Sequence, residues 1–98
     1  MRALRVEKCK ITGINIANTL EALQNAVEGY IEVVTLVPEQ AVMIVNEEGR
    51  LHKMSPNLYA SAIAGMSIVG PAIIVGVDGE EFTDLPVEIE RHIQIKYP

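Results

Sequence analysis

Apolar and polar side chains alternate over several short stretches of the chain, which is the pattern of half-buried β-strands. The segment RALRV near the amino terminus alternates in this way. The segment KITGINIAN keeps the alternation only if Gly13 forms a bulge that shifts the phase of the isoleucines. Together these two segments predict a β-hairpin.

The pattern changes to a helical period in NTLEALQNAVEG. Asn18 stands three residues before Glu21, the spacing of a helix-capping box, and Gly29 suits a carboxyl-terminal stop. The apolar residues recur at i, i+3 and i+7 on one face, which is enough to dock the helix on a sheet. They are Leu20, Leu23 and Val27.

Further strands follow this helix. The β-branched segments YIEVVTLV and AVMIV predict an antiparallel pair, closed by NEEG with Gly49 in a left-handed turn position. The segment MSIVGPAIIVGVDG predicts one or two more strands, with a hairpin or loop at Asp78-Gly79.

The last third of the chain completes the predicted order. Residues 52–62 are expected to be mostly loop with one helical turn. LPVEIERHI predicts a second helix with Pro86 at its first position, followed by an extended tail, QIKYP. The order ββαββ-loop-β(β)α predicts a single α+β domain over residues 1–98, built as two layers with a mostly antiparallel sheet and two helices.

Composition adds an expectation about assembly and location. Of the 98 residues, 49% are hydrophobic, which is high for a small domain that buries a limited share of its surface. We therefore expect a homo-oligomer, the alternative being a well-filled monomeric core. No run reaches the roughly 20 apolar residues of a membrane span, and no signal peptide is evident. The one cysteine, Cys9, suits a reducing cytoplasm.

The net charge of −5 is distributed unevenly. Residues 1–19 contain four basic and one acidic side chain, whereas residues 20–98 contain four basic and twelve acidic ones. An acidic body argues against nucleic-acid binding, which depends on neutralising phosphates. It leaves open a small anionic ligand held by a few basic side chains and backbone N–H groups.

Sequence patterns typical of catalysis are missing. The chain has no glycine-rich phosphate loop and no HExxH motif. His52 and His92 lie forty positions apart without cysteine or aspartate at metal-ligand spacing, so we expect neither metal nor cofactor. The adjacent pairs Glu47-Glu48 and Glu80-Glu81 are interpreted as solvated turn residues. A protein without enzymatic activity is the prediction.

The most polar long segment, VNEEGRLHKMSPNLYASAI, spans residues 45–63 and is the predicted binding region, because loops held by a rigid sheet often carry function. Arg50 could pair with an anionic group through its two-pronged guanidinium. Asn57 could instead bond its own turn, and Tyr59 could anchor the loop rather than stack on a ligand. The candidate ligand-binding residues are Asn46, Arg50, His52, Asn57 and Tyr59.

Several of these segments, in their order, resemble a numbered family of domains of unknown function that is widespread in phages and mobile elements of Gram-positive bacteria. The resemblance covers roughly residues 2–94. In that family the Asn and Gly of NEEG and the Asn of PN recur, which here are Asn46, Gly49 and Asn57. A basic residue often follows PN, and Leu58 stands there instead. The segments concerned are NTLEALQNAVEGYIEVV, VNEEGRL, PN, IVGPAIIVG and EIERHI.

The resemblance implies a small accessory protein made inside a host cell. Small phage proteins often counter host immunity, and one physical route is an oligomer that holds a nucleotide signal. By this analogy of context we expect a non-enzymatic anti-defence protein that binds and sequesters a nucleotide-type immune signal as a homo-oligomer. The alternative is a protein–protein inhibitor whose acidic surface covers a basic groove of a host defence or nucleic-acid enzyme.

Overall fold

Nine helices and strands make up the fold, and the computed structural model describes the whole chain, Met1–Pro98. All strand pairings in its one six-stranded sheet are antiparallel. The α+β class and the antiparallel sheet in a single domain are therefore confirmed. In chain order the elements are β1 (Arg2–Glu7), β2 (Lys10–Asn15), α1 (Leu20–Val27), β3 (Ile31–Val37), β4 (Ala41–Asn46), α2 (Leu58–Ala64), β5 (Ala72–Asp78), β6 (Glu81–Thr83) and α3 (Val87–Lys96).

The strands are arranged in the order β2-β1-β5-β4-β3. Strand β5 is central and pairs with β4 along one side. Along its other side, residues Ala72–Ile74 pair with β1 and residues Gly76–Asp78 pair with the short strand β6. Strand β1 thus pairs on one side with β2, its neighbour in the chain. On the other side it pairs with β5, which comes about seventy residues later in the sequence. Strands β2 and β3 form the two edges.

The predicted hairpins are confirmed, but the predicted bulge at Gly13 is wrong. Strands β1 and β2 pair residue by residue without a register shift from Arg2–Asn15 to Glu7–Lys10. The irregularity in the sheet lies between Thr35 and Val37, where β3 shifts against β4. The imperfect apolar alternation of β2 is tolerated because β2 is an edge strand that is only partly buried.

Helices cover both faces of the sheet, so the fold has three layers rather than the two predicted. On one face, Leu23 and Val27 of α1 pack with residues such as Ile73 of β5. On the other face, Ala60 of α2 and Ile93 of α3 pack against the side chains that β1, β4 and β5 send in the opposite direction. Burial on both faces explains why β4 is buried at every position.

The first helix was located correctly, but its ends differ from the prediction. Thr19, not Asn18, is the N-cap, and its Oγ1 accepts a hydrogen bond from the Ala22 N–H. The Asn18 side chain donates to the Phe82 carbonyl of β6 instead. Leu20 is 59% exposed rather than packed. The left-handed residue that ends the helix is Glu28, with φ of 65°, and not Gly29.

Three further expectations about local structure are wrong. Residues 52–62 are predicted to be mostly loop with one helical turn, but a complete helix, α2, begins within them and runs over Leu58–Ala64, which raises the helix count to three. The tail expected to be extended is helical through Lys96 at the end of α3. Gly49 is buried and does not have the positive φ that its turn was predicted to need.

None of the three helices has the length and apolar content needed to cross a membrane.

Candidate functional site

The five residues predicted to bind a ligand do not converge on one place. Asn46, the last residue of β4, and Arg50 line one concavity of the surface, whereas His52 lines another. The Arg50 guanidinium is exposed and donates to the Ser67 carbonyl at 2.9 Å. The His52 ring is exposed beside Glu48, with 3.9 Å between Nε2 and Oε1.

Asn46 is a buried structural connector. Its Nδ2 donates to the Val27 carbonyl at the end of α1, and its Oδ1 accepts from the Glu48 N–H. With the side chain 6% exposed, both ends of the amide are occupied by backbone groups. Asn46 therefore joins α1 to the end of β4.

Asn57 has a similar role at the start of α2. Its Nδ2 donates to the carbonyls of Val6 and Gly70, and its Oδ1 caps the helix by accepting from the Ala60 N–H. The residue is 2% exposed. Its three bonds connect β1, the segment before β5 and α2, which accounts for a buried amide without a ligand.

Tyr59 lies apart from the other four. Its hydroxyl donates to the Pro98 carbonyl at 2.9 Å, and its ring packs against that of Tyr97 with 5.4 Å between the two ring centroids. These contacts place it on the α2–α3 side of the sheet, where it anchors the end of the chain.

A cleft of about 570 Å³ lies on the α1 face of the sheet, above the end of β1. Because side chains alternate along a strand, Leu4 and Val6 enter the α2–α3 core while Arg5 and Glu7 project from the α1 face. We call this concavity the β1 cleft. Its lining residues are Arg5, Glu7, Lys8, Asn25, Ala26, Glu28, Met54, Ser55, Pro56, Asn57, Gly70 and Pro71.

Two walls enclose the β1 cleft. One is the carboxyl-terminal half of α1, which ends at the left-handed Glu28. The other is a pair of backbone segments held together by the Gly70 N–H to Ser55 carbonyl bond of 2.8 Å and the Pro56–Val69 bridge. The Asn57 side chain connects this pair to the sheet, because its Nδ2 donates a hydrogen bond to the Val6 carbonyl on β1. The second wall is therefore fixed by hydrogen bonds to the sheet that forms the floor.

The β1 cleft brings together exposed cations, carboxylates and neutral hydrogen-bonding groups. Arg5 and Lys8 are the cations, and both belong to the basic amino-terminal part of the chain. The ion pair Arg2–Glu90 and the contact of His52 with Glu48 lie outside the cleft, and neither Arg5 nor Lys8 forms an ion pair. The guanidinium and ammonium groups of the cleft are therefore available to an anion.

The lining offers charged and hydrogen-bonding groups that can contact a ligand. Seven of the twelve lining residues carry polar or charged side chains, so the cleft offers several contacts to the polar groups of a ligand, while Met54, Pro56 and Pro71 add apolar surface. Arg5 can form a bidentate contact with phosphate or carboxylate, and Lys8 can add a point charge. The carboxylates and the Asn25 amide can accept from amine or amide donors of the same ligand. No three His, Cys, Asp or Glu side chains are grouped so as to hold a metal ion.

Sequence reasoning missed the residues of the β1 cleft, although one signal was present. The basic excess of residues 1–19, combined with the strand alternation that turns Arg5 out of the core, is that signal. Asn25 and Ser55 come from distant segments and reach the cleft only through the fold. Of the five predicted residues, Asn57 alone lines it, and its amide is held by backbone groups.

Comparison with known proteins gives family membership and no functional assignment. No curated protein and no solved structure has a significant match to the chain. A family model described as "Domain of unknown function (DUF3846)" matches residues 1–97, nearly the full length. The chain therefore belongs to the DUF3846 family of domains of unknown function.

Proposed function

We propose that this protein is a non-enzymatic binding protein that holds a small nucleotide-type ligand in the β1 cleft. The observation that carries the proposal is the pairing of unengaged Arg5 and Lys8 with neutral and acidic hydrogen-bonding groups in one concavity. A nucleotide presents anionic phosphate at one end and amine or amide donors on its base. Both kinds of group find complementary partners in this lining.

The size of the β1 cleft fits the same class of ligand. At about 570 Å³ it lies within the roughly 300–1,000 Å³ range of small-molecule sites. Its floor is a sheet and one wall is hydrogen-bonded to that sheet, so little ordering is needed on binding. A pre-formed site of this kind favours tight retention of an intact ligand.

The biological setting is proposed on the resemblance to phage and mobile-element proteins. In that setting a cytoplasmic accessory protein of the phage or mobile element would sequester a nucleotide immune signal of its host and release it unchanged. Sequestration needs affinity and copy number but no reacting groups, which agrees with a cleft built from binding chemistry.

The experiment that tests the binding proposal begins with native mass spectrometry of protein purified from an infected host. Denaturation then releases any bound molecule for identification. We expect an intact nucleotide-sized ligand. A ligand recovered in chemically converted form would contradict a purely binding role, and a bare protein that also ignores nucleotides added in vitro would contradict the proposal.

The location of the site is tested by a pair of arginine variants. Arg5→Ala removes a charge-assisted contact in the β1 cleft, worth about 1.5–3 kcal/mol, and should weaken affinity by about 10- to 100-fold. Arg50→Ala, in the region first predicted to bind, should leave affinity unchanged. Isothermal titration with the recovered nucleotide measures both, and Arg91→Ala on exposed α3 serves as the charge control. The reverse ranking would place the site near Arg50.

A second candidate function is inhibition of a host defence or nucleic-acid enzyme through an acidic surface. The observation that favours it is a run of six acidic residues and no basic one between positions 78 and 90, four of them exposed around β6. Such a surface could cover a basic groove. A protein of this kind would co-purify with a host protein and lose it at high salt, with no bound nucleotide. The acidic residues are Asp78, Glu80, Glu81, Asp84, Glu88 and Glu90.

A further inference from the structure

The two edges of the sheet differ in how well they are protected. Natural sheets guard an exposed edge with short strands, lysine, proline or a covering element. Edge strand β2 begins at Lys10, contains Gly13 and has Gln94 of α3 near that glycine. Edge strand β3 is seven residues long, contains no lysine, proline or glycine, and has Glu32 as its only charge.

The free backbone groups of β3 can be assigned from its pairing with β4. Residues 31–35 keep an uninterrupted register with β4, and the Glu47 N–H donates to the Tyr30 carbonyl at 2.8 Å. In an antiparallel ladder, backbone groups point alternately toward and away from the partner strand. Ile31, Val33 and Thr35 therefore direct their N–H and C=O groups to the open side.

These three residues are arranged symmetrically about Val33. A second copy of the strand, related by a two-fold axis through Val33, would pair Val33 with its own equivalent and Ile31 with Thr35. All six outward residues of the two strands would then form hydrogen-bonded pairs. On the opposite face this register places Glu32 against Val34, so the two Glu32 carboxylates do not meet. A shift that centred the axis on Glu32 would oppose like charges directly.

Apolar side chains surround the same edge. Val33 is 46% exposed on the α1 face, and Tyr30, immediately before β3, is 65% exposed. On the other face, Leu51 and Met66 are exposed and line a groove of about 270 Å³ together with Glu32 and Val34. A strand alone provides little contact area, and a stable interface buries about 800 Å² per partner. These flanking side chains add apolar surface to that of the strand.

We propose that two copies of this chain associate through their β3 strands, antiparallel and centred on Val33, to form one continuous sheet across the dimer. The occupant is a second copy because the edge is complementary to itself in hydrogen bonding, in charge and in side-chain type. The β1 cleft lies at the opposite side of each sheet and stays open, so the dimer has two separate clefts.

The register is tested by site-specific disulfide formation in a Cys9→Ser background, since Cys9 is exposed and free. Facing Cα atoms of a hydrogen-bonded antiparallel pair are about 5.5 Å apart, within the span of a disulfide. Val33→Cys should therefore yield a covalent dimer under mild oxidation. Thr35→Cys should not, because its two copies would be about 13 Å apart along the strands.

Assembly is tested by mass measurement in solution. The native protein should have twice the mass of the chain, and Val33→Lys should halve it while leaving the far-ultraviolet circular dichroism unchanged. Val87→Lys is the matched control, because Val87 is 51% exposed on α3, and it should remain dimeric. A monomeric native protein overturns the proposal. So does a dimer in which Val33→Cys fails to cross-link or Thr35→Cys cross-links instead.

Discussion

Two asparagines show how a single buried amide can organise several segments. Asn57 and Asn46 each use their donor and acceptor groups on backbone atoms from separate elements. No buried side-chain nitrogen or oxygen lacks a hydrogen-bond partner. A buried amide with this many hydrogen bonds stabilises the fold chiefly because its removal would leave the backbone groups that it bonds without partners.

Replacing Asn57 should therefore be costly. Asn57→Ala leaves the Val6 and Gly70 carbonyls and the Ala60 N–H without their partner. We expect a loss of about 3 kcal/mol in the free energy of unfolding, combining unsatisfied groups with a lost helix cap. Urea denaturation measures it. Asn25→Ala, an exposed asparagine, is the control and should change stability by less than about 0.5 kcal/mol. Equal stability of the two variants would refute the structural role of Asn57.

Glu28 is the second residue whose conformation leads to a prediction. Its φ of 65° is the left-handed region that favours glycine. Glu28→Gly should raise the free energy of unfolding by about 1 kcal/mol by removing that strain. Glu28→Ala removes the same carboxylate but keeps a Cβ, so it should give no such gain. If both variants change stability equally, the effect comes from the carboxylate and not from the backbone.

At the scale of elements, the junction of α1, β3 and β4 depends on close approach. A Cβ on Gly29 would lie 2.6 Å from the Asn46 Nδ2 atom, and that atom donates to Val27 at the end of α1. The glycine is required by space rather than by a positive φ. Helix α1 can turn directly into β3 only because this position lacks a side chain.

A double-mutant cycle tests this junction. Gly29→Ala should cost about 2 kcal/mol, because it displaces the Asn46 amide. In an Asn46→Ala background the same change should cost about 1 kcal/mol less, since its clash partner is gone. Urea denaturation supplies the four free energies. Gly13→Ala, where the nearest atom is 4.0 Å away, is the control and should be close to neutral. Additive effects would show that Gly29 and Asn46 are not coupled.

The sequence predicted elements well where their signal is local. The apolar alternation predicted β1, the β-branched segments predicted β3 and β4, the apolar segment before Asp78-Gly79 predicted β5, and the helical period predicted α1. Helix α2 was missed because seven residues give too short a period to stand out, and because its cap, Asn57, follows a proline and suits a turn equally well. The choice between Thr19 and Asn18 as a cap depends on β6, which offers Asn18 another partner.

The candidate site was harder to predict because it is assembled from distant segments. The polar stretch 45–63 was a reasonable hypothesis, since its polar residues are neighbours in the chain. The structure shows that Asn46 and Asn57 are occupied by backbone groups, and that Arg50, His52 and Tyr59 face different surroundings. The β1 cleft joins positions 5, 25 and 55, which only the order of the strands and the packing of α1 bring together.

At the scale of the whole molecule, one sheet serves two separate apolar layers. Leu23 on α1 and Ile93 on α3 lie in different layers on opposite faces. Both layers depend on the same hydrogen-bonded strands, so neither should melt without the other. A single cooperative unfolding transition is therefore expected.

Truncation of each layer tests this cooperativity. Leu23→Ala and Ile93→Ala should each cost about 2–4 kcal/mol, and their effects should add because the residues share no partner. Urea transitions followed by circular dichroism and by tyrosine fluorescence should coincide in every variant. Leu20→Ala, at a position 59% exposed, is the control and should have little effect. Separate transitions for the two probes would mean that the layers unfold independently.

The position of β1 in the sheet has a consequence for synthesis on the ribosome. The hairpin of β1 and β2 is made first, yet Leu4 of β1 pairs with Ile74 of β5. At about 5–20 residues per second, the ribosome needs roughly 4–14 seconds to produce that partner. During this interval Leu4 and Val6 lack the strand and helices that bury them. The nascent chain must therefore wait for its carboxyl-terminal third before it can fold, and meanwhile it is a substrate for chaperones and proteases.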